Sequence, residues 1–231
     1  MKKTTLALGI AATLFAGVAS AHQAGDIILR TGGVFVSAHS QSDTLSNRGT
    51  LNGKNVDVDL KVGDNAQLGL TATYMFTDNI GLELLGATPF SHKIKASAHL
   101  RGGNTEDKAL GNLGDVVKLK QLPPSLYVQY YFLDKDAGSR PYIGAGLNYT
   151  RFFNAKSINP EVTNVSVKKH SFAPVVNAGI DIKLTDNLYW NTAMWYTQIK
   201  TKAKFTALGL DHEVKVKLDP FVFFTGLAYR F

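Results

Sequence analysis

Apolar residues recur at every second position through most of this sequence, a period typical of β-strands whose two faces meet different surroundings. The segments 68–76, 143–149 and 176–184 show it clearly, with Leu, Ile, Val, Ala or Tyr on one face and Gly, Asn, Thr or Gln dominating the other. Continued along the chain, the pattern predicts an all-β protein with eight strands at about 26–40, 65–76, 80–96, 121–133, 140–154, 170–184, 188–204 and 214–231.

The connections between these strands alternate in length. Three short turns, 77–79, 134–139 and 185–187, are built from turn-forming residues such as Asp, Asn, Gly and Ser. The intervening connections are longer and polar, at about 41–64, 98–120, 155–169 and 205–213. Short turns at one end and long loops at the other predict an eight-stranded antiparallel transmembrane β-barrel, with short periplasmic turns, longer extracellular loops and both termini in the periplasm.

The first 21 residues have the pattern of a cleaved secretory signal. Lys2 and Lys3 precede an apolar run from Leu6 to Val18, and the small residues 19–21 follow. We therefore expect one outer-membrane barrel domain over residues 22–231, located in the outer membrane of a Gram-negative bacterium; an uncleaved membrane anchor is the alternative. No later stretch has the roughly 18 apolar residues that a transmembrane helix requires.

Composition excludes several other classes. The chain is 45% hydrophobic and 19% charged, which argues against disorder. It has no cysteine, so disulfide scaffolds, cysteine-zinc sites and thiol nucleophiles are excluded. The net charge of +7 is not concentrated in a basic stripe interleaved with aromatics, so we expect no nucleic-acid partner. The basic residues Lys93, Lys95, Lys168 and Lys169 suit either lipopolysaccharide phosphates or a solvated surface.

The last strand ends on Tyr229 and Phe231, with apolar residues at alternating positions before them. This ending resembles the C-terminal signal by which the barrel-assembly machinery recognises outer-membrane barrels. The alternative is the edge strand of a sandwich that happens to end the chain.

Strand parity predicts a charged end and an apolar middle for the lumen. With the more apolar face turned to lipid, five charged residues near the periplasmic end point inward, and buried charges require partners. We predict a charged plug there, formed by Arg30, Glu83, Asp181, Lys183 and Arg230. The alternative is a set of scattered lumen polar groups, because a register slip of one residue reverses a strand.

Farther from the periplasm, the inward positions become apolar and predict a hydrophobic channel rather than an ion pathway. An eight-stranded barrel also has little interior space, which excludes a wide aqueous porin. We expect a vestibule reached from the loop side, with a lining that includes Val34, Leu85, Trp195, Val222 and Phe224.

Three prolines predict an opening in the wall. Pro89 interrupts the third strand, and Pro123 and Pro124 open the fourth; none has the N–H that a sheet hydrogen bond needs. Incomplete pairing between these neighbouring strands would give an apolar molecule a lateral exit into lipid. Ordinary curvature above the membrane is the alternative.

Nothing in the sequence points to catalysis. The six histidines have no metal-ligand spacing, and Ser91 and His92, as strand neighbours, face opposite ways. Glu83 and Asp181 have basic companions that favour an ion-pair network over an acid and base pair. We therefore expect no catalytic residues, no metal and no cofactor.

The segments 87–92, 122–126, 129–132 and 140–150 resemble the OmpW family of outer-membrane proteins, which includes the alkane importer AlkL, and the similarity extends over essentially the whole mature chain. The resemblance implies a hydrophobic channel closed toward the periplasm, passive uptake of small apolar solutes and lateral release into the membrane. Trp195 and Pro89 match the family's lumen tryptophan and strand-three proline.

The long Gly/Asn/Lys-rich loops at 41–64 and 98–120 depart from that family pattern. A different function therefore stays open: a structural or receptor barrel, contacted by bacteriocin, phage or host through its loops, without physiological transport.

Overall fold

The computed structural model of the chain describes residues 22–48, 55–101 and 108–231, and the predicted signal peptide lies outside them. The described part contains no helix long and apolar enough to cross a membrane. Its strands, in chain order, are β1 Ile27–Ser37, β2 Ser40–Arg48, β3 Asn55–Val62, β4 Asn65–Met75, β5 Ile80–Ala87, β6 Phe90–Arg101, β7 Lys108–Leu122, β8 Ser125–Tyr131, β9 Ser139–Ser157, β10 Val162–Val167, β11 His170–Lys183, β12 Leu188–Thr197, β13 Ile199–Ala207, β14 Leu210–Leu218 and β15 Phe221–Arg230.

Eight of these strands close a barrel, as predicted. Neighbouring strands are antiparallel in the order β11, β12, β15, β1, β4, β5, β8 and β9, and the pairing of β9 with β11 completes the circle. The chain ends are part of this closure. The N–H of Phe231 donates to the carbonyl of Ile27 over 2.8 Å, and the N–H of Ile27 donates back over 3.4 Å.

The membrane-spanning strands bury one face and expose the other. In β8, Tyr127 and Tyr131 are buried in the lumen, whereas Leu126, Val128 and Tyr130 are about half exposed. Their exposure on the outside is expected because this surface contacts hydrocarbon in a bilayer.

An aromatic girdle surrounds the barrel at its periplasmic end. It contains three pairs of aromatic residues, and the two members of each pair are separated by one residue in the sequence. Within each pair the rings pack edge to face, with centroids 4.7 to 5.2 Å apart. Amphipathic rings are favoured at the level of lipid headgroups. The pairs are Tyr74–Phe76, Tyr130–Phe132 and Tyr229–Phe231.

The segments predicted as long polar loops are largely strands where the structure describes them. They extend the barrel on the extracellular side as two sheets, one formed by β3, β6, β7 and the end of β9 and the other by β10, β13, β14 and β2. An apolar core that includes Val58, Ile94, Phe152, Phe205 and Val216 lies between them. The loop prediction is wrong here because these strands alternate apolar residues with lysine and aspartate, so their composition is polar while their period remains that of a strand.

A row of glycines crosses the barrel wall. Gly32 on β1 lies opposite Gly226 on β15 and Gly69 on β4. A Cβ added to Gly32 would lie 2.2 Å from the carbonyl oxygen of Thr225, and one added to Gly69 would lie 2.2 Å from the side chain of Val34. Real Cβ atoms do not make such contacts, so the backbone opposite Gly32 requires glycine there, whereas a side chain at position 69 would have to displace Val34.

Candidate functional site

A buried ion cluster occupies the periplasmic end of the lumen. The guanidinium of Arg30 on β1 lies between Glu83 on β5 and Asp181 on β11, with Nη1 2.5 Å from Glu83 Oε2 and Nη2 2.6 Å from Asp181 Oδ2. All three side chains are essentially inaccessible to solvent. Burial of these charges is tolerable because each has an opposite charge in hydrogen-bond contact.

Neutral side chains complete the hydrogen bonding of this cluster. Arg30 also donates to the hydroxyl of Tyr131 over 2.9 Å and to that of Thr73 over 2.6 Å. Asn191 donates to Asp181 Oδ1 over 2.7 Å. Because both donors and acceptors find several partners, the cluster has the connectivity that a buried polar network needs for stability.

His22 and Arg140 belong to the same end of the lumen, and sequence reasoning missed both. His22 Nε2 lies 2.8 Å from Asp181 Oδ2, and its carbonyl accepts from Arg140 Nη1 over 2.7 Å. Burial lowers the pKa of His22, which favours the neutral ring as a donor to Asp181. No sequence signal links His22 to Asp181, since 159 positions separate them and His22 simply follows the predicted cleavage site.

Two residues of the predicted plug lie outside this cluster. Lys183 approaches Asp186 in the periplasmic turn at 3.0 Å, and Arg230 lies 3.6 Å from Asp26. Both face the barrel end but stand at its rim, because they are closer to the strand ends than Arg30 or Asp181. The five predicted residues therefore separate into a buried centre of three and a rim of two.

The apolar part of the lumen lies above the ion cluster. Val34, Leu85, Trp195 and Phe224 are buried and Val222 is half-buried, all in one cluster of interior side chains. Val34, Leu85, Trp195 and Val222 line a cavity of about 50 Å³, whereas Phe224 packs against Trp195 outside that lining. The space at the position of the expected vestibule is small, and the apolar core of the extracellular sheets lies above it.

A hydrogen-bond chain joins the two parts of the lumen. The indole N–H of Trp195 donates to the hydroxyl of Tyr127 over 2.8 Å, and that hydroxyl in turn donates to Glu83. A tryptophan in the apolar compartment is thus connected to the ion cluster through one intervening side chain.

A seam in strand pairing opens beside the cavity. The ladder between β5 and β8 ends at Leu85 opposite Ser125, and the ladder between β6 and β7 begins at Phe90 opposite Gln121. The stretches 86–89 and 122–124 lie between these points, outside both ladders. They contain the three prolines singled out in the sequence, of which Pro89 is exposed and Pro123 lines the cavity.

Asn148 stabilises one edge of this seam and was not predicted. Its Nδ2 donates to the carbonyls of Pro123 and Pro124 at 3.2 and 3.4 Å and to Ser125 Oγ at 2.9 Å. These hydrogen bonds satisfy backbone carbonyls that have no partner in the interrupted ladder. They therefore lower the free-energy cost of the interruption.

A polar pair marks the boundary between the lumen and the extracellular core. His92 Nδ1 lies 2.9 Å from the carbonyl of Gly63, and His92 Nε2 lies 3.0 Å from Gln121 Nε2. Gln121 lines both the 50 Å³ cavity and a second cavity of about 20 Å³ above it. Ser91, the neighbour of His92, faces the outer surface instead. Among the described residues no cluster of three His, Asp or Glu side chains is arranged to hold a metal.

Comparison with known proteins agrees with this architecture. The sequence pattern of the OmpW family matches residues 23–231. Outer membrane protein W of Vibrio cholerae is 40% identical over 235 residues, which cover 100% of both chains. Outer membrane protein AlkL of Ectopseudomonas oleovorans is 25% identical over 76% of this chain and 70% of its own length.

Among solved structures, the crystal structure of the outer membrane protein OprG from Pseudomonas aeruginosa superimposes with a TM-score of 0.74. It is 32% identical and covers 91% of this chain and 98% of its own. The barrel, the family pattern and the full-length similarity agree with one another. The chain therefore belongs to the OmpW family of outer-membrane β-barrel proteins.

Proposed function

We propose that this protein is a passive outer-membrane conduit for small hydrophobic molecules, which leave the lumen laterally into the membrane. One observation carries the proposal: the apolar cavity lies against the seam between the two ladders, because Ala87 and Pro123 line the cavity and also lie in the seam. A solute in that cavity has its shortest apolar route to lipid between these residues.

The lumen on either side of the cavity supports a lateral rather than an axial route. Toward the periplasm, the cluster around Arg30 fills the barrel with paired charges. An apolar solute would have to displace those hydrogen bonds to continue downward, and an unpaired buried charge is very costly. The seam requires no such rupture.

The size of the cavity implies that side chains must move during transport. About 50 Å³ is smaller than the roughly 150 Å³ of an engineered cavity that binds benzene. Trp195 and Phe90 are the largest side chains in the cavity wall, and Trp195 packs edge to face on Phe224 behind it at 6.1 Å. We infer that the solute enlarges the cavity by displacing one of these rings.

The solute would approach from outside past His92 and Gln121. Gln121 lines both cavities and His92 lines the outer one, so the pair places polar groups on this path. Because these two polar groups are already desolvated and hydrogen-bonded to each other, the passage of an apolar molecule adds little free-energy cost, as long as neither group becomes charged.

The test uses purified protein in liposomes, with uptake of a small apolar fluorophore and leakage of ions measured in parallel. Ala87→Phe places a ring where cavity and seam meet, whereas Ala145→Phe adds the same ring on the lipid-exposed outer face. We expect fluorophore uptake without ion leakage. Ala87→Phe should reduce the uptake rate about tenfold, which corresponds to an increase of about 1.4 kcal/mol in the activation free energy, and Ala145→Phe should leave the rate unchanged.

Two outcomes would overturn the proposal. Ion leakage without fluorophore uptake would mean that the periplasmic end is open. If neither solute crosses in a protein-dependent way, the receptor or structural function becomes the better account of this barrel.

A further inference from the structure

The outer surface of one extracellular sheet carries lysines in direct register. Lys61 on β3 lies opposite Lys95 on β6, Lys93 on β6 lies opposite Lys118 on β7, and Lys118 in turn lies opposite Lys156 on β9. All five are exposed. We call this set the lysine face.

Like charges directly opposite each other destabilise a sheet. Among the described residues, Asp115 compensates part of this charge, because it lies opposite Lys95 in the register and 3.3 Å from Lys93 Nζ. The other sheet also places lysines opposite each other, Lys200 with Lys217 and Lys202 with Lys215. There, however, Glu213 lies 3.5 Å from Lys202 and 3.3 Å from Lys204, and Asp219 lies 3.0 Å from Lys217. The lysine face therefore retains an excess of positive charge that an external anion would neutralise.

The same surface forms a groove. Its volume is about 620 Å³, and Lys61, Lys93, Lys95 and Lys118 line it together with Ser91 and two aspartates, so cations outnumber anions in the lining by four to two. The groove is large enough for a phosphorylated sugar, and its lysines would offer several ammonium donors to one phosphate group.

The groove lies close to the hydrocarbon surface. Ser91 is the second residue of β6 and lies two positions after Pro89, and Thr88 donates its N–H to the carbonyl of Leu68 over 3.0 Å. Leu68 is one of the lipid-facing side chains and is 60% exposed. Only a few residues thus separate the membrane's apolar region from the lysines, a spacing that suits a ligand with phosphates above and acyl chains below.

We propose that the lysine face binds the phosphate groups of lipopolysaccharide in the outer leaflet. A phosphate monoester carries a charge of about −1.5 to −2 at neutral pH, and it would lie between opposed lysines whose mutual repulsion it removes. Free phosphate shares this chemistry, but it lacks the acyl chains that would pack beside Leu68. The proposal does not depend on transport through the lumen.

The experiment measures binding of fluorescent bisphosphorylated lipid A to the whole protein in detergent, with dephosphorylated lipid A as the comparison. The variant carries Lys93→Gln, Lys95→Gln and Lys118→Gln together. Its matched control carries Lys200→Gln, Lys202→Gln and Lys204→Gln on the other sheet. We expect the first variant to weaken binding roughly a hundredfold and the control less than about threefold, since each lysine near an anionic surface contributes appreciably.

Several results would overturn the assignment: equal affinity of the variant and the wild type, an equal loss in the control, or equal binding of dephosphorylated lipid. Full competition by millimolar inorganic phosphate would assign the groove to a free anion and equally exclude the lipid. If the triple variant fails to fold, the salt dependence of lipid A binding to the wild type is the test. Binding through phosphates must weaken steeply as the salt concentration is raised, and binding that is insensitive to salt would overturn the proposal.

Discussion

The indole N–H of Trp195 donates to the hydroxyl of Tyr127 over 2.8 Å, from the apolar compartment toward the ion cluster beneath it. Tyr127 passes the connection on to Glu83, which holds Arg30. Movement of the Trp195 ring therefore disturbs the hydrogen bonding of the buried charges. A large displacement of Trp195 by a solute would be resisted by this bond as well as by packing.

Trp195→Ala should increase uptake of small apolar solutes by enlarging the cavity, and it should lower the free energy of unfolding by about 3 to 5 kcal/mol. The chain supplies a matched control, since Trp190 faces lipid and is 43% exposed whereas Trp195 is 2% exposed. Liposome uptake and urea unfolding of both variants test this. Equal increases in uptake for Trp195→Ala and Trp190→Ala would contradict the assignment of Trp195 to the conduit.

Arg30→Gln should destabilise the barrel by about 3 to 5 kcal/mol, because it leaves Glu83 and Asp181 buried without their cation. Arg230→Gln at the rim removes a looser contact of 3.6 Å with Asp26 and a hydrogen bond of 3.1 Å to the carbonyl of Asp186, and it should cost less, about 1 kcal/mol. Denaturant midpoints in one detergent give the comparison. Similar losses for the two variants would show that the rim matters as much as the centre.

The stability of the barrel should decrease as the pH is lowered, because His92 is buried in the folded chain. Burial lowers the pKa of His92 from its ordinary 6.5, opposed by its hydrogen bond to Gly63 and by the charge of Asp64. The unfolded chain then binds a proton at a higher pH than the folded chain, so this contribution to stability is complete above pH 6.5 and is lost as pH falls below it.

Urea midpoints at pH 7.5 and 5.5 measure this effect, and His92→Gln should make the difference between them smaller. The exposed His39 provides the control, and an equal effect of His39→Gln would exclude His92 as the source. Because protonated His92 would also place a charge on the apolar path, wild-type solute uptake should decrease over the same pH interval and that of His92→Gln should change less.

Phe231→Ala should impair assembly in cells while leaving the folded barrel nearly as stable. The bonds that close the chain end use the backbone of Phe231 and Ile27, which the substitution retains. The aromatic ring itself is 66% exposed to lipid, so little packing is lost. Outer-membrane abundance and in vitro refolding separate the two effects. An unaltered abundance would mean that the terminal aromatic is not read as an assembly signal.

Parity along the strands predicted which residues face the lumen, because lipid on one side and a packed interior on the other leave a strict alternation. Val34, Leu85 and Trp195 follow this rule, and each is buried. The three prolines lie in the interval between the two ladders, and the missing N–H that limits their pairing is a local property of the residue. The partners of the ion cluster, His22 and Arg140, could not be found this way because contacts across the lumen depend on the closed barrel.

The extracellular sheets were missed although their strand period is present in the sequence. Val56, Val58 and Leu60 are buried, and the residues between them are aspartates. Outside the membrane, the outer face of a strand contacts water, so charged residues replace Leu, Tyr and Phe without altering the period. The outward-facing residues change from apolar to charged at the membrane surface. In the sequence this change resembles the start of a polar loop.

The glycine row has a consequence for how the interior tolerates change. Along β1, Gly32 stands between Arg30 and Val34, and Val34 and Phe224 both extend into the space left over Gly69. These two apolar side chains thus rest on bare main chain rather than on the ion cluster. Val34 lines the cavity, so its size should be adjustable for bulkier guests while the charged base continues to hold the fold, which makes this position the natural place to redesign what the barrel admits.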